Sequence, residues 1–432
     1  MRRIKEVLVI NTITVPSYFN AGHHLPIFQV AQYLREHNDD IGVTCRDIGV
    51  LNYTWKDFSS LVFQGQFDLI CIMIDFDTAD SLERMLYYLK SLSKDSKVLL
   101  FGRMCKNNPD IFMITNVDAI AFEGDYETSV DSYIDYYNGT IDQPYGCIYR
   151  KDEKWEKSGE SRILSPKDWA FPNLSEIPYD DYSKLYLNDS NKFCGIPNKK
   201  ELVVNVSRGC PINCEFCDVA KMQGTIDRRV SPKELHDYII NNFTKYGFDY
   251  VSMYSAIFTL NKKWLKEFTG LMRNEAVPWK CVTTIEHLSD EDIELMHEAG
   301  CVRISIGVET LTPNNPNLPK IKNDTSYKMN HIVELCNRFN IEVNCFVMIG
   351  IPDTSYKEVV NTINVLEKMN VRIRPTVYTR YNMIEEERDL SHVYKYNRQI
   401  LDTELYTTAQ TKEVYTILHG QRLKNTELDK KI

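Results

Sequence analysis

With 432 residues, 43% of them hydrophobic and 26% charged, the chain has ordinary globular composition and the length for two or three compact domains. Its net charge of −9 is spread along the sequence with no Lys/Arg block to track a phosphate backbone, which argues against nucleic acid as a partner. No apolar run is long enough to span a bilayer and no cleavage-site pattern follows the start, so the expectation is a cytoplasmic protein without a membrane span.

From Lys5 to about Tyr137, short β-branched runs alternate with helical segments. VLVI (7–10) precedes a helix near Ile27 to Glu36, FDLICIMI (67–74) precedes one near Ser81 to Leu92, and KVLLF (97–101) leads to a further strand over Asp118 to Phe122. Strands separated by helices predict a doubly wound parallel sheet, whose ligands sit at the carboxyl ends of the strands. His23 and His24 follow the first strand on that side. With no carboxylate or cysteine at ligand spacing, the pair reads as a solvated loop rather than a metal site.

Periodicity fades between Tyr145 and Pro197, where a charged, hairpin-like stretch (YRKDEKWEKSGES) gives way to WAFPNLSEIPYDDY, a linker rich in Pro and aromatic residues. From Glu201 the strand–helix alternation resumes with ELVVNVS, DYVSMYS, WKCVTTI, CVRISIG, IEVNCFVMIG and VRIRPTVYT, separated by helical segments. Six such repeats in about 180 residues predict a partial (β/α)6 barrel of the TIM type, with catalytic groups at the carboxyl ends of its strands. The expected organisation is a Rossmann-like domain over 1–140, a linker over 141–200, the barrel over 201–385 and a helical extension over 386–432.

Twelve cysteines in a long chain point to reduced thiols and a metal site rather than a disulfide framework. Nine are scattered singly (Cys45, Cys71, Cys105, Cys147, Cys194, Cys281, Cys301, Cys336 and Cys345) and read mostly as small buried residues. Cys210, Cys214 and Cys217 stand together in VVNVSRGCPINCEFC, directly after a predicted strand. A loop of this spacing wraps three thiolates around three irons of a 4Fe–4S cubane and leaves one iron for a small molecule. Structural zinc is the alternative, and it would want a fourth ligand close by, which the sequence does not supply.

The Cys-x3-Cys-x2-Cys signature after the first barrel strand, with SRGCP before it and an aromatic residue before the last cysteine, resembles the radical S-adenosylmethionine (radical SAM) superfamily. The likeness continues through RRVSPKEL, FTLNKKWL, HEAGCVRISIGVET and FVMIGIPDTSYKE. It implies S-adenosylmethionine as cosubstrate, with Phe216 beside the adenine, Glu309 at the ribose or methionyl end, and Ile349 and Gly350 offering backbone to the adenine. The family's Gly-Gly-Glu after the second strand is replaced by Tyr254, Ser255 and Ala256, leaving Ser255 for the methionyl amine.

The first domain and linker resemble the class of this superfamily that carries a cobalamin-binding-type domain ahead of the barrel, through FDLICIMI, KVLLFGRMCKNNPDIF and VDAIAFEGDYET. That resemblance implies cobalamin near Gly102, Gly124 and Glu127, although the family's second glycine is Arg103 here and its Gly-Glu-x-Glu element reads Gly124, Asp125, Tyr126, Glu127. It further implies a methyltransferase acting on an unactivated carbon of a peptide or small natural product through a 5′-deoxyadenosyl radical, fed by an electron donor such as flavodoxin or ferredoxin. A cobalamin-independent epimerase, dehydratase or ring-forming enzyme with a degenerate Rossmann-like domain is the second option, with Cys345 and Tyr378 as conceivable hydrogen donors. A non-enzymatic iron–sulfur or zinc scaffold is the third. Arg374, Tyr378, Thr379 and Arg380 form a polar group near the barrel mouth that suits an anionic substrate or a solvated rim.

Overall fold

The computed structural model describes residues 3–13, 24–75, 78–188, 195–196, 199–319, 322, 326–378, 381–396 and 405–429. Its first sheet has the order β2-β1-β3-β4-β5-β6-β7, with β1 (Glu6–Asn11), β2 (Gly42–Arg46), β3 (Leu69–Met73), β4 (Lys97–Phe101), β5 (Ala119–Ala121), β6 (Cys147–Lys151) and β7 (Lys154–Lys157). The first five strands are parallel, in the doubly wound order that reverses between β1 and β3. Helices cover both faces, which is why VLVI in β1 is buried throughout.

One element of this sheet escapes the sequence pattern, and another, read as hairpin-like, lies beyond the bounds expected for the domain. The edge strand β2 is short and half exposed, and the helix Trp55–Gly65 after it is fixed by a Thr54/Asp57 capping box. The charged stretch expected in the linker is an antiparallel hairpin, β6–β7, that extends the sheet beyond residue 140.

The second sheet is a six-stranded parallel array, β15-β14-β13-β12-β11-β8. Its strands are β8 (Glu201–Asn205), β11 (Tyr250–Tyr254), β12 (Trp279–Thr283), β13 (Cys301–Glu309), β14 (Glu342–Ile349) and β15 (Arg372–Val377), and a two-stranded ribbon of β9 (Ser207–Arg208) and β10 (Arg228–Arg229) stands beside it. The array is a partial (β/α) barrel, open between β8 and β15. Intervening helices start at side-chain caps: Ser231 accepts from Glu234 N with Pro232 in the first turn, and Ser289/Asp292 and Ser355/Glu358 form capping boxes.

The linker packs against both sheets. Trp169, Leu174, Ile177, Tyr179 and Tyr182 are buried in one apolar core that continues from the first sheet into the second. At the other edge, the helix Thr408–Asp429 covers β15, with Asn425 Nδ2 donating to Ile373 O at 2.7 Å. No described helix is long and apolar enough to cross a membrane. Eight of the nine single cysteines are buried thiols, while Cys194, like His23, Thr379 and Arg380, lies outside the described residues.

Candidate active site

The thiol triplet sits on an excursion of the chain held shut at its base by the β9–β10 ribbon. Gly209 opens the loop at φ +92, where a Cβ would stand 2.1 Å from Ile226 O, so only glycine fits. Inside the loop Cys210 N donates to Gly224 O at 3.1 Å and Cys217 N to Cys214 O at 3.0 Å. The three cysteines line a single cavity of about 1470 Å³ at the carboxyl ends of the barrel strands, together with Phe216, Ser255 and Glu309.

Among the described residues no three His, Cys, Asp or Glu side chains converge as they would around one metal ion. Tetrahedral zinc would gather its sulfurs to within about 4 Å of one another. The three thiols line one cavity, as they would around a cubane, in which each ligates a different iron. Burial pushes the Cys214 thiol up to about 12, a rise partly countered by the Lys322 ammonium. Iron binding would favour the thiolate there, as metal ligation does generally.

Glu309 is brought into the cavity by a register shift between Gly307 and Glu309 at the end of β13, and it takes a left-handed φ of +60. Its Oε1 lies 2.6 Å from Lys322 Nζ, both side chains being buried. Burial works against the Lys322 charge, but Glu309 and Cys214 outweigh it and hold the ammonium above the ordinary lysine range. Lys322 also stands 5.3 Å over the Phe216 ring. Gly307 makes room for the pair, since a Cβ there would be 2.8 Å from Glu309 Oε1.

Strand alternation sorts the remaining residues. Asn344, Phe346 and Met348 of β14 face the cavity, so Cys345 and Ile349 face the outer helices. Ile349 packs there with Val359, Tyr406 and Leu418. Burial raises the Cys345 thiol far above its ordinary value, and the side chain points away from the cavity where a hydrogen donor would work. Gly350 turns the chain at φ +82 just past β14. Tyr378, by contrast, packs beside Cys214, Phe216 and Met348. Ser255 Oγ lies 2.7 Å from Ser207 Oγ on the cavity wall, and Arg374 Nε donates to Asn344 Oδ1 at 3.1 Å.

A second cavity, of about 1170 Å³, opens where the carboxyl ends of β3, β4 and β5 meet the thiol loop. Gly102 and Glu127 line it; Gly124 does not. The two glycines answer to the domain's own backbone: a Cβ on Gly102 would be 2.4 Å from Ile74 O, and one on Gly124 would be 2.5 Å from Arg162 O. Arg103 spans the cavity rim, 3.1 Å from Asp75 and 3.5 Å from Asp218. His24, expected in a solvated loop, is instead buried on this cavity, its Nδ1 2.6 Å from Asp47 Oδ2, with Tyr182 and Asn11 also bonded to that carboxylate. Three residues that line these cavities carry no motif signal of their own: Lys322 in the barrel, and Lys106 and Asp218 in the second cavity, the last distinguished only by following Cys217.

Residues 204–366 match the family model of the radical SAM superfamily. Among curated proteins, an uncharacterized methyltransferase of Pyrococcus horikoshii is 23% identical over 81% of this chain and 74% of its own length. Among solved structures, the radical S-adenosylmethionine methyltransferase TsrM from Kitasatospora setae superposes with a TM-score of 0.66 at 13% identity, covering 87% of this chain and 73% of that one. The cobalamin-dependent S-adenosylmethionine radical enzyme OxsB has a TM-score of 0.66 at 16% identity, covering 99% of this chain, which spans only 56% of OxsB. The match over the barrel and the two-domain fold agree with the thiol loop: residues 204–366 form a domain of the radical SAM superfamily, and the fold places a Rossmann-like domain ahead of it.

Proposed function

We propose that the chain is a cobalamin-dependent radical SAM methyltransferase acting on an unactivated carbon of a peptide or small natural product. One observation carries this reading: Val219, Gln223 and Tyr254 line both cavities, so a group at the strand ends of the first sheet adjoins one in the barrel. A corrin suits the first-domain cavity, where Pro26, Met73, Ile74 and Met222 form an apolar wall. The buried Tyr126 hydroxyl on the same cavity has no hydrogen-bond partner among the described residues, a polar atom that a ligand would satisfy. The relatives named above include methyltransferases and a cobalamin-dependent enzyme, which supports the same assignment.

When bound, the cluster with S-adenosylmethionine supplies the radical and the corrin supplies the methyl group. Cys210, Cys214 and Cys217 would hold the cluster. Lys322 and Glu309, 2.6 Å apart, stand where Lys322 would donate to the methionyl carboxylate and Glu309 would accept from the amine as both groups reach the open iron. Phe216 offers a ring face beside them. Deeper in the barrel Ser305, Asn344 and Thr376 offer hydrogen bonds to substrate, while Lys280 and Arg303 are matched by Glu201 at 2.6 Å and Glu342 at 2.5 Å. Glu342 also binds Arg372 at 2.6 Å, and Arg374 stands on Asn344, so among the described residues the cations of this floor outnumber its carboxylates and suit a hydrogen-bonding or anionic part of a peptide or small natural product. Electrons would come from a flavodoxin- or ferredoxin-type donor.

Anaerobic reconstitution with iron, sulfide and cobalamin tests the assignment. The expected result is cluster and corrin absorption together, with both 5′-deoxyadenosine and S-adenosylhomocysteine formed. Corrin that fails to bind, with deoxyadenosine as sole product, would remove the methyltransferase reading and leave a cobalamin-independent radical enzyme.

A further inference from the structure

The residues at the corrin-type motif positions of the first domain reach across and hold the thiol loop. Arg208, two residues before Cys210, is buried and donates to both oxygens of Glu127, at 2.6 and 3.2 Å. Asp125 lies 3.7 Å from the same guanidinium and binds Arg228, its neighbour across the ribbon, at 2.9 Å. Arg228 in turn donates to Gln223 O, and the Gln223 side chain accepts from Gly209 N. At the far end of the triplet, Asp218 pairs with Arg103. Further on, Lys106 Nζ donates to Met222 O and, on its own domain's side, to Gly124 O. The loop is therefore tied to the ends of β4 and β5 before its first cysteine, just after its last, and at the helix that follows.

We infer that Glu127 and Arg103 are positioning residues for the cluster: the first domain fixes the thiol loop directly, whether or not a corrin is bound. The physical reason is burial. A two-pronged Arg–carboxylate pair has one good geometry, and away from water its loss leaves a charge that must find another partner by moving. The movable element here is the short ribbon from which Cys210 hangs. The inference rests on the reading of the triplet as a cluster site, and it assigns the Gly-Asp-Tyr-Glu and Gly-Arg segments a role separate from corrin contact.

The test compares full-length wild type with Glu127→Gln, Glu127→Asp and Arg103→Gln, each reconstituted anaerobically with iron and sulfide, with and without cobalamin. Readouts are iron per chain, the EPR spectrum of the reduced cluster before and after S-adenosylmethionine, and the rate of deoxyadenosine formation. Glu127→Gln should keep its iron but lose most of the spectral change caused by S-adenosylmethionine, with deoxyadenosine formation at least tenfold slower in both preparations. Glu127→Asp, which keeps the carboxylate, should recover at least a third of the wild-type rate. A deficit confined to the cobalamin-loaded protein would overturn the inference, because it would make Glu127 a corrin contact only. Wild-type spectra and rates in Glu127→Gln would overturn it too. If that variant does not fold, Arg103→Gln carries the same readouts at a partly exposed position, and wild-type behaviour there overturns the inference. A wild-type protein that takes up no iron would remove the cluster reading first, and the inference with it.

Discussion

Replacing Lys106 by methionine separates two opposing effects whose sizes follow from the structure. The ammonium is buried between the domains and donates to the carbonyls of Gly124 and Met222. Burial lowers its pKa to about 8, although Asp125 and Glu127 pull in the opposite direction. An unfolded lysine titrates near ~10.4, and a tenfold change in proton affinity is about 1.4 kcal/mol, so keeping this charge in the fold costs about 3 kcal/mol at neutral pH. Between those two pKa values the unfolded chain binds more protons than the folded one, and stability therefore rises with pH across that window. Lys106→Met abolishes the titration but strips a donor from two carbonyls, a loss of about 1–3 kcal/mol each, so a comparison at one pH decides little. The pH dependence decides: from about pH 7.5 to about pH 9.5 the wild type should gain about 2 kcal/mol over the variant. Urea unfolding followed by tryptophan fluorescence at the two pH values measures this directly. Midpoints that shift in parallel for the two proteins would refute the reasoning.

Gly102→Ala combines a φ of +118 with a Cβ 2.4 Å from Ile74 O, and should cost at least about 1–3 kcal/mol in the same unfolding assay. Lys322→Met leaves Glu309 buried without this partner, a change worth about 3–5 kcal/mol; S-adenosylmethionine binding, followed by anaerobic equilibrium dialysis, should weaken at least tenfold, with Lys322→Arg retaining part of it. Cys345→Ala faces the outer helices, so formation of 5′-deoxyadenosine and S-adenosylhomocysteine should stay within about twofold of wild type while stability falls by about 1 kcal/mol; loss of product formation at unchanged stability would restore Cys345 as a hydrogen donor.

Much of this architecture is written in local patterns. Continuous apolar runs such as VLVI and FVMI mark strands covered on both faces, and the cysteine spacing after ELVVNVS marks the loop that the structure places at the barrel mouth. What stays illegible depends on partners far apart in sequence. His24 reads as solvated because Asp47 and Tyr182, which bury and fix it, lie 23 and 158 residues away. Glu309 shows as a strand-end carboxylate, but Lys322 sits in a polar loop where one lysine looks like any other. Gly102 and Gly124 read as room for a ligand, whereas the space they leave is taken by Ile74 and Arg162 backbone. Cys345 shows how a pattern can be present and unused: alternation along β14 already sends it to the face opposite Asn344 and Phe346, once the cavity side is known.

Three thiolates would leave one iron with no protein ligand, facing the barrel cavity. Electron–nuclear double resonance on the reduced, anaerobically reconstituted protein with S-adenosylmethionine carrying ¹⁵N at the amine and ¹⁷O at the carboxylate tests it most directly. The expected spectrum shows hyperfine coupling from both labels to the cluster, and the coupling vanishes in Cys214→Ala. A cluster that forms but couples to neither label would contradict the account, as would a fourth protein ligand on the remaining iron.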